Sequence, residues 1–176
     1  MRKVAGFLTA AAMVLPIGLI AAPAGAAAGA TCTTVSGTAT VKPGLPSTTA
    51  TVKPVISAKN VKLGGCTGGV TSGLLSGTLK GSVAQNCAGL AKQGNFGLKG
   101  TGTIVWNTKA TSTITWALTP GPKGKFTTVN LPGTVTAGLF KGSKMSGQVT
   151  FTLSGGQCGT KPLTSVGFKQ ATKFVI

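Results

Sequence analysis

The sequence predicts an all-β fold: a single antiparallel β-sandwich or closed barrel of about 8–10 strands, held by two disulfides. Three observations predict it. Short runs that alternate apolar with polar residues recur along the chain, Gly, Pro and Asn separate these runs, and no segment offers a convincing amphipathic helical period. The chain has 176 residues, enough for one domain. Alternation alone leaves sandwich and barrel both open.

The first 30 residues are typical of a cleaved secretory signal peptide, so residues 31–176 are predicted to be the exported all-β domain. "MRK" supplies positive charge, an apolar run follows, and the small residues after it offer Ala26, Ala28 or Ala30 as the last residue removed. Cleavage at or just before Ala30 is favoured. A retained membrane anchor is the alternative, but Pro16 interrupts the apolar run. The predicted location is secreted, extracellular or in the cell envelope.

The first five strands are predicted where Thr and Ser alternate with Val, Ile, Leu or Trp, residues that favour strands through branching or aromaticity. Glycine, proline and asparagine between them mark the turns. The runs lie at 34–41, 52–63, 73–84, 100–106 and 111–118.

The remaining strands are predicted from the same alternation of residue types in the last third of the chain. Pro132 separates two of them, and glycines separate the others. The runs lie at 125–131, 133–140, 146–154 and 164–176.

The chain's only two tryptophans lie on neighbouring runs, Trp106 before and Trp116 after the segment "NTKAT". If that segment is a five-residue loop, one face of the hairpin collects both tryptophans with Ile104 and Ile114, and Trp116 lies opposite Gly102. The face is the more apolar one, so these four residues are predicted to be structural core. An exposed tryptophan platform for a sugar is the alternative.

Four cysteines follow the predicted signal peptide, and an even number in an exported chain indicates two disulfides. Sequence order favours Cys32 with Cys66 and Cys87 with Cys158. Three connectivities are possible. A metal site is not expected, because the chain has no histidine and no C-x-x-C spacing.

The charge balance is the strongest anomaly of the sequence. Residues 31–176 contain fifteen lysines but no Arg, Asp, Glu or His, so no side-chain salt bridge can form. Among the lysines closest in sequence are Lys123 with Lys125 and Lys141 with Lys144, and these four are the candidate anion-binding residues. The expected partner is an anionic cell-wall polymer or membrane surface. The alternative is that lysines only keep the surface soluble and protect sheet edges.

The residue inventory argues against several classes of function. Of the usual acid-base groups only Lys and Cys are present, so no catalytic residues are predicted and the protein is expected not to be an enzyme. No cofactor is expected. The absence of arginine from residues 31–176 and of tyrosine from the whole chain argues against a nucleic-acid partner. The oligomeric state stays open.

Three stretches, "GGCTGG" (64–69), "GTGTIVWNTKATSTITW" (100–116) and "TAGLFKGSKMSGQVTFTL" (136–153), carry a family resemblance. The chain resembles an uncharacterised group of small exported Thr/Gly-rich β-proteins of actinobacteria. The resemblance implies a Gram-positive, high-GC source and an envelope or extracellular setting, and it transfers no functional residue.

The sequence therefore predicts a non-enzymatic secreted or envelope-associated protein whose lysine-rich surface interacts with anionic wall polymers or lipid headgroups. A membrane-inserting β-barrel, pore or cationic toxin is the alternative, because alternating strands also characterise such barrels.

Overall fold

Eleven antiparallel strands form the sheet in the part of the chain that the computed structural model describes, residues 29–47, 50–89, 97–121, 128–154 and 161–176. The predicted signal peptide, 1–30, lies outside these ranges except for Gly29 and Ala30. The strands are β1 (Thr31–Leu45), β2 (Val55–Thr67), β3 (Ser72–Gly81), β4 (Leu98–Trp106), β5 (Thr111–Pro120), β6 (Thr128–Asn130), β7 (Gly133–Gly138), β8 (Lys144–Met145), β9 (Gln148–Ser154), β10 (Leu163–Gln170) and β11 (Phe174–Val175).

Eight of these strands form a closed barrel in which each strand pairs with two neighbours. The order around the barrel is β1-β2-β3-β4-β5-β6-β9-β10, and the pairing of β10 with β1 completes it. Closure gives every strand of this ring a partner on both edges. The all-β prediction is confirmed, and of the two predicted alternatives, sandwich and closed barrel, the chain adopts the closed barrel.

The three strands β7, β8 and β11 form a second path of paired strands, which runs from β5 back to the start of β1. β7 replaces β6 along the edge of β5 and pairs with β8. Ser146, directly after β8, is bridged to Val175 of β11, and β11 pairs with Thr31 and Cys32 at the start of β1. The change from β6 to β7 occurs at Pro132, which has no N–H to donate to a ladder. Both paths therefore end on the same edge of β1.

The interior of the barrel is apolar because alternate residues of each strand point inward. On β5, Ile114, Trp116 and Leu118 are buried, whereas Thr113 and Thr115, at alternate positions of the same strand, are exposed. The same alternation places leucine and valine from the other long strands in one continuous core. Burial of this apolar surface is the main favourable contribution to folding.

The β4–β5 hairpin differs from the sequence prediction in its register. Trp116 lies opposite Gly100 and not opposite Gly102. The turn is shorter than predicted: Lys109 adopts the left-handed backbone conformation (φ 66°), and the Trp106 N–H donates to the Ala110 carbonyl at 2.9 Å. The register therefore shifts by two residues, which changes the cross-strand partners but leaves each side chain on its predicted face.

A disulfide joins Cys32 to Cys66, which are direct cross-strand partners on β1 and β2. It is the one disulfide that the described residues show, where the sequence predicts two. The second predicted bridge joins Cys87 to Cys158, and Cys158 lies outside the described residues, so that bridge stays a prediction. No cysteine within the described ranges is a free thiol. The observed bridge fixes the β1–β2 pair at the end of the barrel where β11 closes it.

Removal of the Cys32–Cys66 bridge is expected to lower the free energy of unfolding. The bridge spans a sequence separation of 34 residues. A loop of that size constrains the unfolded chain by about 3–4 kcal/mol. The double variant Cys32→Ser, Cys66→Ser measures this loss in a guanidinium titration. Thr38→Ser, an exposed change on the same strand, is the control and should shift stability by less than about 0.5 kcal/mol. Equal stability of the two variants would contradict the prediction.

Candidate functional site

The residues predicted to be core all lie inside the barrel. The exposed fractions are 2% for Trp106, 7% for Trp116 and 0% for Ile104 and Ile114. The Trp106 ring meets the Phe140 ring edge-on, with 5.5 Å between the ring centroids. Because both indoles are buried, they do not form an exposed pair of aromatic faces on which a sugar could stack.

Trp106 is held by a hydrogen-bond chain that links β4, β5 and the turn after β7. Its Nε1 donates to Ser112 Oγ at 2.8 Å, and the Ser112 hydroxyl donates to the Leu139 carbonyl. Ser112 is fully buried although it is polar. Its burial is tolerated because both its donor and its acceptor functions are used.

Trp116 lines a small cavity inside the barrel. The cavity measures about 30 Å³, and its walls are apolar side chains of the inward faces. Ligand pockets usually occupy roughly 300–1,000 Å³, so this space is far too small for one. Trp116 Nε1 is buried and has no hydrogen-bond partner in the structure's described ranges. The interior is thus a packed core, and a functional surface has to be sought on the outside.

All twelve lysines in the described ranges are exposed. Of the predicted anion-binding residues, Lys141 and Lys144 lie on the β7–β8 hairpin, where Lys144 Nζ donates to Thr134 Oγ1 at 3.4 Å. Lys123 and Lys125 lie outside the described residues. The structure therefore brings one predicted pair to a single hairpin.

A different set of lysines forms a row across the barrel wall. Lys80 on β3 lies directly opposite Lys99 on β4, and on its other side Lys80 faces Val55 of β2, which in turn faces Lys42 of β1. We name Lys42, Lys80 and Lys99 the lysine strip. With neighbouring strands about 4.8 Å apart, the strip runs roughly 14 Å around the barrel. Sequence reasoning misses it because these residues become neighbours only through strand register.

The lysine strip has no internal counter-charge. Like charges directly opposite each other on a sheet destabilise it, and they are normally offset by nearby carboxylates. The chain contains no Asp or Glu, so every side-chain counter-charge must come from outside it. An external polyanion would convert this repulsion into attraction.

A polar cleft lies where the two closing paths of the barrel diverge. It has a volume of about 440 Å³ and includes Asn130, Gln148 and Lys173 in its wall. Gln148 Nε2 donates to Asn130 Oδ1 at 2.9 Å, and Asn130 Nδ2 donates to the Pro120 carbonyl. Because the two amides already bond within the protein, this cleft is a weaker candidate than the lysine strip.

Within the described ranges, no three potential metal ligands of the Cys, His, Asp or Glu type come together. No helix in the same ranges has the length and hydrophobicity that a membrane span requires. Comparison with protein-family models, curated proteins and solved structures finds no match for the chain.

Ser112→Ala is expected to destabilise the fold although it removes a single oxygen. The change leaves Trp106 Nε1 and the Leu139 carbonyl without their partner. Each buried group that loses its partner costs about 1–3 kcal/mol, so the expected loss is about 2 kcal/mol or more. Urea denaturation measures it. Ser36→Ala, an exposed change of the same chemistry, should cost less than about 0.5 kcal/mol. A loss at Ser112 no larger than at Ser36 would contradict the proposed role of the hydroxyl.

Proposed function

We propose that the protein is a non-enzymatic, exported binding protein that attaches to polyanionic material of the cell envelope, either anionic wall polymer or anionic lipid headgroups. The observation that carries this proposal is the lysine strip, in which Lys80 and Lys99 are direct cross-strand neighbours and Lys42 continues the row. A repeating anion such as a phosphate polymer presents several charges at once to such a row.

The composition of the chain supports the same proposal. The formal net charge is +17, and all of the positive side chains that the structure describes are exposed. A surface of one sign attracts polyanions and speeds their association, and the attraction weakens with ionic strength. The resemblance to exported actinobacterial β-proteins is consistent with an envelope setting.

The distribution of apolar surface favours surface attachment over insertion. Exposed strand positions carry mainly threonine, serine and lysine, whereas the apolar side chains fill the interior. A protein that binds through exposed cations needs no rearrangement of this core. We therefore propose attachment by charge, with the lysine strip as its centre.

The triple variant Lys42→Ser, Lys80→Ser, Lys99→Ser is expected to bind anionic surfaces about 100-fold more weakly, because each of the three lysines near such a surface contributes about 1 kcal/mol. Co-sedimentation with purified phosphate-rich wall polymer and, separately, with anionic lipid vesicles measures the loss and identifies which polyanion is bound. Binding of the natural sequence should disappear above roughly 0.5 M salt, where screening acts within a few Å.

The matched control is Lys59→Ser, Lys109→Ser, Lys173→Ser, which removes the same charge from exposed positions outside both the strip and the predicted Lys141–Lys144 pair. It should retain most of the binding. Equal losses in the two triple variants would show that net charge alone binds and would overturn the role of the strip.

Failure to bind either material at low salt would overturn the proposed function and leave the lysines as a solubility device. Dye release from the vesicles would overturn it in favour of membrane insertion or a toxin-like activity.

A further inference from the structure

A shallow groove lies on the outer surface of the barrel near the β4–β5 turn. It has a volume of about 520 Å³, which falls within the range of small-molecule sites. Strands β1 to β4 form its floor. Ser36, Lys62, Leu74, Val105 and Asn107 are among the residues that line it.

The groove contains an exposed apolar pair. Leu74 on β3 is 43% exposed, Val105 on β4 is 45% exposed, and the two lie directly opposite each other. The other outward positions of these two strands carry serine, threonine or lysine. Of the large hydrophobic residues exposed in the described ranges, the remaining two, Val83 and Val175, lie outside this groove. Half of these exposed hydrophobic residues therefore lie side by side in this groove.

A positive charge adjoins the apolar pair in the same transverse row. Lys62 on β2 is the direct cross-strand partner of Leu74. On its other side Lys62 faces Ser36 of β1, which also faces Lys169 of β10. With strands about 4.8 Å apart, the two ammonium-bearing positions are roughly 10 Å apart and flank a serine. An anionic group above Ser36 would lie between two cations.

We propose that this groove binds a single-chain anionic amphiphile, with its acyl chain over Leu74 and Val105 and its anionic head between Lys62 and Lys169. The row from Val105 to Lys169 crosses four strand spacings, roughly 19 Å, which is the scale of one fatty acyl chain with its head group. Stable protein partners usually bury more than about 1,000 Å² in total, so two half-exposed side chains fit a chain-like ligand better than a protein.

Asn107 gives the groove a fixed rim. Its Oδ1 accepts the N–H groups of Thr71 and Ser72 at 2.9 Å and 3.3 Å, and this ties the β4–β5 turn to the start of β3. Because the rim is already anchored, a ligand need not order it on binding, which lowers the entropic cost of association.

The groove is distinct from the lysine strip. Leu74 and Lys80 are six residues apart on β3, which places the two surfaces roughly 20 Å apart along the strand. The two share no residue. The inference therefore goes beyond the proposed function and can fail or hold independently of it.

The test uses a fluorescent amphiphile, dansyl-undecanoic acid, kept below its micelle concentration and displaced by unlabelled competitors. Laurate should displace the probe, monolaurin, which has the same chain without charge, should displace it more weakly, and inorganic phosphate should not displace it. No binding of the probe, or displacement by phosphate as effective as by laurate, would overturn the proposal.

The double variant Leu74→Thr, Val105→Thr should weaken probe binding about tenfold or more, because it removes the apolar contact. Threonine keeps a strong strand preference, so the fold should persist, which circular dichroism checks. Val83→Thr, the same change at an exposed valine elsewhere, is the control and should bind normally. Unchanged affinity of the double variant would overturn the proposal.

Lys62→Ser provides a second route that does not depend on the apolar pair. It should weaken laurate binding and leave monolaurin binding nearly unchanged, because only laurate carries the charge that Lys62 would contact. Equal effects on both ligands would overturn the assigned position of the head group. The lysine-strip triple variant should keep its affinity for the probe while losing polyanion binding, which separates a failure of this site from a failure of the proposed function.

Discussion

Strand β1 pairs with β2 along one edge and with two separate strands, β10 and β11, along the other, and this shared edge closes both paths of the barrel. The remaining strands are linked to it by a continuous series of antiparallel pairs. The disulfide at Cys32 and Cys66 fixes one end of this strand. Closure determines which residues face inward, and it also determines which outward residues share a transverse row. The core, the lysine strip and the groove at Leu74 and Val105 all depend on it.

The stability of the barrel comes from its apolar core and does not depend on the charges on its outer surface. Its core is apolar and continuous, so folding does not depend on ion pairs, which a chain without Asp or Glu cannot form between side chains. The outer face can therefore carry lysines in direct register, as Lys80 and Lys99 show, at a modest electrostatic cost that salt screening reduces. An oppositely charged surface relieves that cost, and this links the fold to the proposed attachment.

Much of this architecture follows from alternation of residue types, because a period of two assigns each side chain to a face. Trp106 and Trp116 are buried for that reason. Strand register is harder to predict from the sequence than the face of each side chain. The turn at Lys109 is tighter than predicted, which changes the cross-strand partner of Trp116 but leaves its side chain on the predicted face. The lysine strip depends on register across four strands, so residues adjacent in sequence were poor guides to it. Strands β8 and β11 have two residues each, too few for any pattern, and the second closing path was therefore not predictable.

Strand β1 pairs along one edge with β10 and β11, which follow it by more than 110 residues in the sequence. Phe174 of β11 is buried and lies opposite Cys32 at the start of β1, and Val175 lies opposite Thr31. During synthesis, β1 must wait for β10 and β11 before its second edge is covered. Until then an unpaired strand edge is available to other chains, and such edges promote aggregation. Contacts this distant in sequence also form slowly. A partly made chain would therefore need to be held apart from its neighbours until β10 and β11 have paired with β1.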